Sequence, residues 1–171
     1  MDKLYWARGT AALAPHGVLE EAGAAYEIVA VDLHKGEHRR SEYLTLNPAG
    51  YVPALVTGNG RVLTESAAIT VALCERHAET GLMPESGDPE RAQFFRWLFY
   101  LINTVQEACK RHYYTERYST EPADAPNVKA RARQNLIDRW RIFEERLADP
   151  GPFLRGLRFT AADIYFAILA T

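Results

Sequence analysis

The spacing of apolar positions divides the chain into two parts. In residues 1–80, short apolar runs that are typical of strands alternate with patterns of helical period. Strands are predicted at 4–6, 26–31, 53–57 and 61–64, and helices at 12–22, 41–46 and 66–77. The sequence Gly58-Asn59-Gly60 predicts a tight turn between the last two strands. This part therefore combines a parallel βαβ unit with an antiparallel hairpin.

The second part is predicted to be helical throughout. Residues 81–87 are rich in glycine, proline and serine and are interpreted as a linker. In residues 88–171, amphipathic helices are predicted from Pro89 to about Glu116 and from Val128 to Leu147, with a loop over 119–127 between them. A final helical pattern runs to the last residue without a stop signal, so we expect the helical domain to be incomplete at that end.

A capping box is predicted where the final helix begins. The Thr160 hydroxyl is placed to accept from the Asp163 N–H, and the Asp163 carboxylate to accept from the Thr160 N–H. The predicted fold class is therefore a thioredoxin-like α/β domain over residues 1–80, followed by an all-α domain over residues 88–171.

Composition excludes several classes of protein. The chain has 171 residues, 47% of them hydrophobic, and a formal net charge of −2, which argues against nucleic-acid binding. No apolar run approaches the length of a membrane span, so no membrane association is expected. Cys74 and Cys109 lie far apart and predict buried thiols in a cytoplasmic protein. The five histidines lack metal-ligand spacing, so no metal site is expected.

Two segments of the first domain carry a resemblance to a known family. They are Asn47-Pro48-Ala49-Gly50-Tyr51-Val52-Pro53-Ala54-Leu55 and Leu63-Thr64-Glu65-Ser66-Ala67-Ala68-Ile69. Together they resemble the glutathione-binding half of the glutathione transferases, in which a Val-Pro turn and a Glu/Gln-Ser pair hold the tripeptide. Glutathione is thus the expected co-substrate. The matching positions are His38, Arg39, Tyr51, Val52, Pro53, Glu65 and Ser66.

The resemblance implies a role for each group of these residues. A cis Val52-Pro53 bond would turn the backbone of Val52 outward to pair with the cysteinyl backbone of the ligand. Glu65 would accept from the γ-glutamyl ammonium, and Ser66, at a helix start, would receive the γ-glutamyl carboxylate. The glycyl carboxylate needs a cation. Among Lys35, His38, Arg39 and Arg40, the resemblance favours His38 or Arg39.

The expected chemistry is attack by the glutathione thiolate on an electrophile. The segment 9–16 resembles the start of the bacterial beta class, but Ala11 and Ala12 stand at the cysteine and serine positions. Gln106-Glu107 likewise falls where that class has His-Lys beside the sulfur. Thr10 is the hydroxyl left at this turn, and it either donates to the sulfur or caps the helix.

The acceptor pocket is expected to be apolar and to lie between the two domains. Its candidates by position are Trp6, Ala11, Phe99, Tyr113 and Tyr114.

Three functions follow as hypotheses. The first is a homodimeric detoxification enzyme that conjugates glutathione to a small hydrophobic electrophile. The alternatives are a non-catalytic glutathione-binding or regulatory protein of the same fold, and a glutathione-dependent isomerase or ether-cleaving enzyme.

Overall fold

The computed structural model describes residues 1–148 and 150–170. They separate into two compact units, Met1–Glu85 and Ser86–Thr171. The point of separation falls inside the segment 81–87, where the glycine- and proline-rich composition predicts a linker.

The first unit is built on a four-stranded mixed sheet in the order β2-β1-β3-β4. Strand β1 pairs parallel with β2, while β3 pairs antiparallel with both β1 and β4. The thioredoxin-like fold predicted for this unit is confirmed. The elements are β1 Asp2–Trp6, α1 Leu13–Glu21, β2 Tyr26–Ala30, α2 Ser41–Leu44, β3 Ala54–Val56, β4 Val62–Thr64 and α3 Ser66–Arg76.

Apolar side chains cover both faces of this sheet. Helices α1 and α3 pack together, and they contribute the fully buried Val18, Leu19, Ile69 and Leu73. A separate cluster of Val31, Tyr43 and Ala54 has Tyr5 and Val52 packed against it. The central strands β1 and β3 hold the fully buried Leu4, Ala54 and Leu55, whereas β2 and β4 contain no buried residue.

The second unit is helical, as predicted. Its main elements are α4 Arg91–Tyr100, a π-helical turn Leu101–Val105, α5 Gln106–Tyr113, α6 Ala125–Leu147 and α7 Ala161–Ala170. Its core combines aliphatic and aromatic side chains, and the buried aromatic ones are Phe94, Trp97, Phe143 and Tyr165. No helix in the described ranges is both long and apolar enough to cross a bilayer.

Two helix boundaries differ from the prediction. The single helix expected from Pro89 to Glu116 is wrong, because a π-helical turn interrupts it and the regular part ends at Tyr113. The apolar repeat does not reveal the turn, since inserting one residue shifts the phase by only about a quarter of a revolution. The loop predicted over 119–127 is shorter in the structure. Helix α6 starts at Ala125, with Pro126 in its first turn, where the missing N–H of proline costs nothing.

The capping box at the start of α7 forms in a modified way. The Asp163 carboxylate accepts from the Thr160 N–H at 2.8 Å, as predicted. The Thr160 hydroxyl, however, donates to the same carboxylate at 2.8 Å, and the Asp163 N–H bonds instead to the Thr160 carbonyl at 2.9 Å. The second carboxylate oxygen accepts from the Leu154 N–H at 2.7 Å. An ionised carboxylate accepts more strongly than a hydroxyl, so it attracts the available donors.

Candidate functional site

Three segments that are distant in sequence meet at one edge of the sheet. Tyr5 pairs with Ala54, and Ala54 pairs with Thr64. Because these pairs are antiparallel, the end of β1, the start of β3 and the end of β4 lie side by side. Trp6, the Val52-Pro53 bond and the Glu65-Ser66 pair therefore belong to the same edge. We call it the ligand edge, and define it as Trp6–Ala12, Tyr51–Pro53 and Glu65–Ser66.

The Val52-Pro53 peptide bond is cis, as the resemblance implied. The preceding loop is held from inside by the Asn47 side chain, whose amide donates to the Tyr51 carbonyl at 2.7 Å and accepts from the Ala49 N–H at 3.2 Å. Tyr43 donates to the same Tyr51 carbonyl at 2.7 Å. Burial raises the pKa of Tyr43 to about 12, so this hydroxyl remains a donor at neutral pH.

These supporting roles of Asn47 and Tyr43 could not be predicted from local sequence patterns. An Asn-Pro pair predicts a turn, but it does not reveal that the asparagine points inward. The bonds from Asn47 and Tyr43 hold Tyr51 in place, and with it the following residue, Val52. Within the described part of the chain, the N–H and C=O of Val52 have no hydrogen-bond partner. An extended ligand can therefore pair with them as a strand does.

Glu65 adopts a strained backbone conformation. Its φ of 66° makes it the one non-glycine residue with positive φ among residues 1–148 and 150–170. Such conformations cost about 1–3 kcal/mol and concentrate at functional sites. The side chain is exposed, and its carboxylate makes no hydrogen bond or ion pair with any residue that the structure describes. It is therefore available to accept from a cationic group.

Ser66 follows as the first residue of α3 and is buried. The N-terminal end of a helix is electropositive and presents unpaired N–H groups to an anion. An acidic acceptor and an anion-binding helix end thus lie one residue apart. This arrangement suits a ligand that carries an ammonium and a carboxylate on the same carbon.

Arg39 contacts the loop that supports Val52. Its guanidinium donates to the Ala49 carbonyl at 3.2 Å and lies 5.4 Å from the centre of the Tyr51 ring. A Cβ atom at Gly50 would come within 2.7 Å of the flexible Arg39 guanidinium and within 3.1 Å of the His38 carbonyl oxygen, so a larger residue would displace the Arg39 side chain. Gly50 also has a positive φ of 65°.

The other candidate cations are placed differently. Lys35 pairs with Asp32 at 3.2 Å and Arg40 with Glu37 at 3.9 Å. His38 lies beside Arg39 in the 3₁₀ turn Glu37–Arg39. Lys35 and Arg40 are thus paired with acidic neighbours, whereas Arg39 contacts the loop that leads to the Tyr51–Pro53 part of the ligand edge.

Thr10 forms a local turn at the start of α1. Its hydroxyl donates to the Ala7 carbonyl at 2.7 Å and accepts from the Ala12 N–H at 3.3 Å. In this conformation the hydroxyl proton is engaged with the backbone. To donate to a ligand sulfur, the hydroxyl would have to rotate away from Ala7.

The Trp6 ring lies against α1, with its centre 6.1 Å from that of the His16 ring. Its indole N–H is buried and has no acceptor among the described residues. His16 in turn bonds to the Tyr26 hydroxyl at 2.8 Å, and Tyr26 donates to the Glu20 carboxylate. Burial, with the nearby Glu20 carboxylate, raises the pKa of Tyr26 to about 12. His16 thus belongs to a network that supports the packing of α1.

The acceptor-pocket candidates of the second unit do not form a single group. Tyr113 and Tyr114 are neighbours, exposed by 72% and 37%. Phe99 stacks on Phe95 at 5.8 Å and precedes Tyr113 by 14 positions, which is about 20 Å along a helix. A small acceptor can contact Phe99 or the tyrosines, but not both. Trp6 and Ala11 belong to the first unit.

Gln106 and Glu107 both have partners inside the second unit. The Tyr165 hydroxyl donates to the Gln106 amide oxygen at 3.4 Å, and the Tyr118 hydroxyl donates to Glu107 at 3.0 Å. Over the described ranges, no group of three or more His, Cys, Asp or Glu side chains is arranged to hold a metal ion.

Comparisons with known proteins agree with this geometry. The family model "Glutathione S-transferase, N-terminal domain" matches residues 2–71. Glutathione S-transferase GstA of Escherichia coli O157:H7 is 31% identical over 169 residues, which cover 98% of this chain and 80% of GstA. The disulfide-bond oxidoreductase YfcG of Escherichia coli K12 is 30% identical over 152 residues, which cover 85% of this chain and 68% of YfcG.

A solved structure extends the comparison to the whole fold. The glutathione transferase homologue from Sulfitobacter, crystallised with bound glutathione, superposes with a TM-score of 0.91 at 28% identity. The superposition covers 99% of this chain and 81% of the homologue. With the GstA similarity and the matching N-terminal domain, it shows that the chain belongs to the glutathione S-transferase family.

Proposed function

We propose that this protein binds glutathione at the ligand edge and conjugates its thiol to a small hydrophobic electrophile. The observation that carries the proposal is the convergence of three unpaired or electropositive groups at that edge. They are the Val52 backbone, the Glu65 carboxylate and the N-terminal end of α3 at Ser66.

Each group has a matching part in glutathione. The cysteinyl backbone of the ligand pairs with the N–H and C=O of Val52. The γ-glutamyl ammonium donates to Glu65, and the γ-glutamyl carboxylate lies at the start of α3. For the glycyl carboxylate we propose Arg39, with His38 beside it, because Arg39 is held against the same loop.

The reaction requires a deprotonated thiol. A free thiol has a pKa near 8.5, so at neutral pH only a few per cent is thiolate. We propose that Thr10, after rotating from the Ala7 carbonyl, donates to the sulfur and so favours the thiolate. The sulfur then forms a bond to the electrophilic carbon. In a substitution, the leaving group departs with the electrons of its bond to that carbon. In an addition, the electrons of the carbon's π bond move to the neighbouring atom, which takes a proton from solvent. The thiol proton passes to solvent.

The acceptor pocket remains a proposal. Among its candidates, Tyr113 and Tyr114 are exposed and adjacent, which suits a flat hydrophobic acceptor. Trp6 and Ala11 are proposed on the glutathione side, and Phe99 as a separate exposed apolar site. We further propose that the enzyme acts as a cytoplasmic homodimer in detoxification.

Titration with glutathione in a calorimeter tests the binding site. Glu65→Gln keeps the size of the side chain but removes its charge, so we expect affinity to fall about tenfold or more. Glu79→Gln is the matched control, since this exposed carboxylate in the same unit pairs with His77. The proposal fails if the wild-type protein shows no saturable binding, or if both variants bind as the wild type does.

A second candidate function is non-catalytic glutathione binding. It is favoured by Ala11 and Ala12, which offer no donor, and by the engagement of the Thr10 hydroxyl with Ala7. A screen of aryl halides, epoxides and enones separates the two candidates. A mixed disulfide of glutathione is added to that screen because YfcG is named a disulfide-bond oxidoreductase. Turnover of any member by the wild-type protein excludes the non-catalytic reading.

A further inference from the structure

The π-helical turn between α4 and α5 determines the orientation of α5. The Gln106 N–H bonds to the Leu101 carbonyl five residues earlier, whereas an α-helical bond reaches only four residues back. The turn therefore holds one additional residue. Each residue of an α-helix advances the chain by about 100° around the helix axis. The side chains of α5 are therefore rotated about the axis by about that angle, compared with an uninterrupted continuation of α4.

Arg139 of α6 attaches to this turn through two hydrogen bonds. Its guanidinium donates to the Thr104 carbonyl, inside the turn, at 2.6 Å. The Tyr100 hydroxyl, just before the turn, donates to the Arg139 carbonyl at 3.3 Å. We call this pair of bonds the Arg139 clamp. It fastens both ends of the turn to a single residue of another helix.

The turn needs stabilisation from outside its own sequence. π-Helical geometry is rare and is found mainly as single turns at functional sites. Residues 103–105 are Asn, Thr and Val, which are weak helix formers. A charged donor on the Thr104 carbonyl supplies a stronger bond than a neutral one does.

We propose that Arg139 is a positioning residue for the acceptor. By holding the π turn, it fixes the rotation of α5 and so the direction in which Tyr113 and Tyr114 are presented. This inference rests on the proposed function, in which those tyrosines contact the acceptor. Arg139 itself touches no substrate.

The experiment compares three variants of α6. Arg139→Met approximates the aliphatic part of the side chain and removes its donors, and Arg139→Lys restores one charged donor group. Arg141→Met is the matched control, because Arg141 lies two positions along the same helix and pairs with Asp138 at 3.6 Å on the exposed side. Tyr100→Phe removes the other bond of the clamp and serves as a milder variant.

Two measurements are made on each variant. Amide hydrogen exchange over residues 104–110 reports whether the turn is held. Calorimetry with glutathione and with S-hexylglutathione reports the acceptor side, because the second ligand carries an apolar chain in place of the thiol hydrogen. The loss of the thiol is the same for every variant, so differences between variants report the hexyl chain. Neither measurement requires turnover.

With Arg139→Met we expect exchange over 104–110 to accelerate about tenfold or more. The affinity gained from the hexyl chain should fall by a similar factor, while the affinity for glutathione stays within about twofold. Arg139→Lys should restore most of the slow exchange and most of the affinity gained from the hexyl chain. Tyr100→Phe should change both quantities in the same direction as Arg139→Met but by less. Arg141→Met should change neither.

Two results would overturn the inference. One is unchanged exchange in Arg139→Met. The other is an equal loss of affinity for both ligands, since that indicates general destabilisation. If the wild-type protein binds neither ligand, the proposed function is wrong and the acceptor role falls with it. Binding of both ligands with equal affinity leaves glutathione binding intact but removes the acceptor role.

Discussion

At the scale of single residues, the ligand edge holds side chains and backbone groups that are poorly paired inside the protein. The Glu65 carboxylate and the Val52 backbone have no partner among the described residues, and Glu65 keeps a strained φ of 66°. A relaxed turn in this position would be more stable. The positive-φ conformation places Glu65 at the ligand edge, one residue before the N-terminal end of α3. A strained conformation that presents an unpaired carboxylate there supports a binding role.

Thr10 gives a prediction at this scale. Thr10→Ser keeps the hydroxyl but lacks the methyl group, and Thr10→Val removes the hydroxyl at nearly unchanged size. If the hydroxyl favours the thiolate, its removal should raise the pKa of the bound glutathione thiol by about 1. The pH profile of conjugation would then move toward higher pH, because more alkaline solution is needed to form the same thiolate.

The measurement is the thiolate absorbance near 240 nm, followed against pH with saturating glutathione. Thr10→Ser should titrate as the wild type does. If Thr10→Val leaves the titration unchanged and only lowers stability, by an amount like the ~1 kcal/mol of a lost helix cap, then Thr10 only stabilises the turn before α1 and the thiolate has another donor.

At the scale of elements, the start of α7 depends on one buried carboxylate. Asp163 accepts from the Thr160 N–H, the Thr160 hydroxyl and the Leu154 N–H. These bonds join the segment before α7 to its first turn. Helix α7 also carries Tyr165, which is fully buried, so its placement affects the core of the second unit.

Asp163→Asn should therefore destabilise the protein strongly. An amide accepts through one oxygen only, and its NH₂ group would face the donors that the carboxylate now satisfies. We expect the free energy of unfolding to fall by about 2–4 kcal/mol, measured by urea denaturation. Asp138→Asn, on the exposed face of α6, should change it by less than about 0.5 kcal/mol. Equal effects of the two variants would contradict this account of the α7 cap.

At the scale of the whole molecule, the two compact units each contain one free cysteine. Cys74 lies in α3 of the first unit and Cys109 in α5 of the second. Burial raises the pKa of the Cys74 thiol to about 12, and burial also raises the pKa of Cys109. A raised pKa means less thiolate at neutral pH, so both thiols should react slowly in the native protein.

Thiol labelling can therefore follow the opening of each unit separately. Because the proposed glutathione-binding groups all belong to the first unit, S-methylglutathione should slow the labelling of Cys74 more than that of Cys109. This ligand has no thiol to consume the reagent. Mass spectrometry of labelled peptides over time gives both rates at pH 8. Equal protection of the two cysteines would show that they become accessible in one cooperative opening.

Much of the fold could be predicted because it depends on neighbours in sequence. The strand and helix order of the first unit follows from local periodicity, and the turn at Gly58-Asn59-Gly60 follows from local backbone preferences. The Val52-Pro53 and Glu65-Ser66 pairs could be recognised for the same reason. Each is a short contiguous motif, and the order of motifs along the chain already indicated the family.

The residues that the sequence did not predict act across long separations. The π turn depends on Arg139, which follows Thr104 by 35 positions, and a periodic pattern in one helix carries no information about a donor in another. The inward orientation of Asn47 and the two additional donors to Asp163, the Thr160 hydroxyl and the Leu154 N–H, were not predicted for a related reason. Whether a polar side chain faces inward depends on what packs around it.

By itself, the sequence determined the class of fold, the family and the short motifs of the ligand edge, because these depend on local backbone preferences and on spacing along the chain. The tertiary structure decided the rest: that β1, β3 and β4 bring Trp6, Pro53 and Glu65 to one edge, that the Thr10 hydroxyl bonds to Ala7, that Arg39 packs against Gly50, and that Arg139 holds the π turn. These features depend on which groups face each other in space, and the burial and hydrogen bonding that fix this exist only in the folded chain.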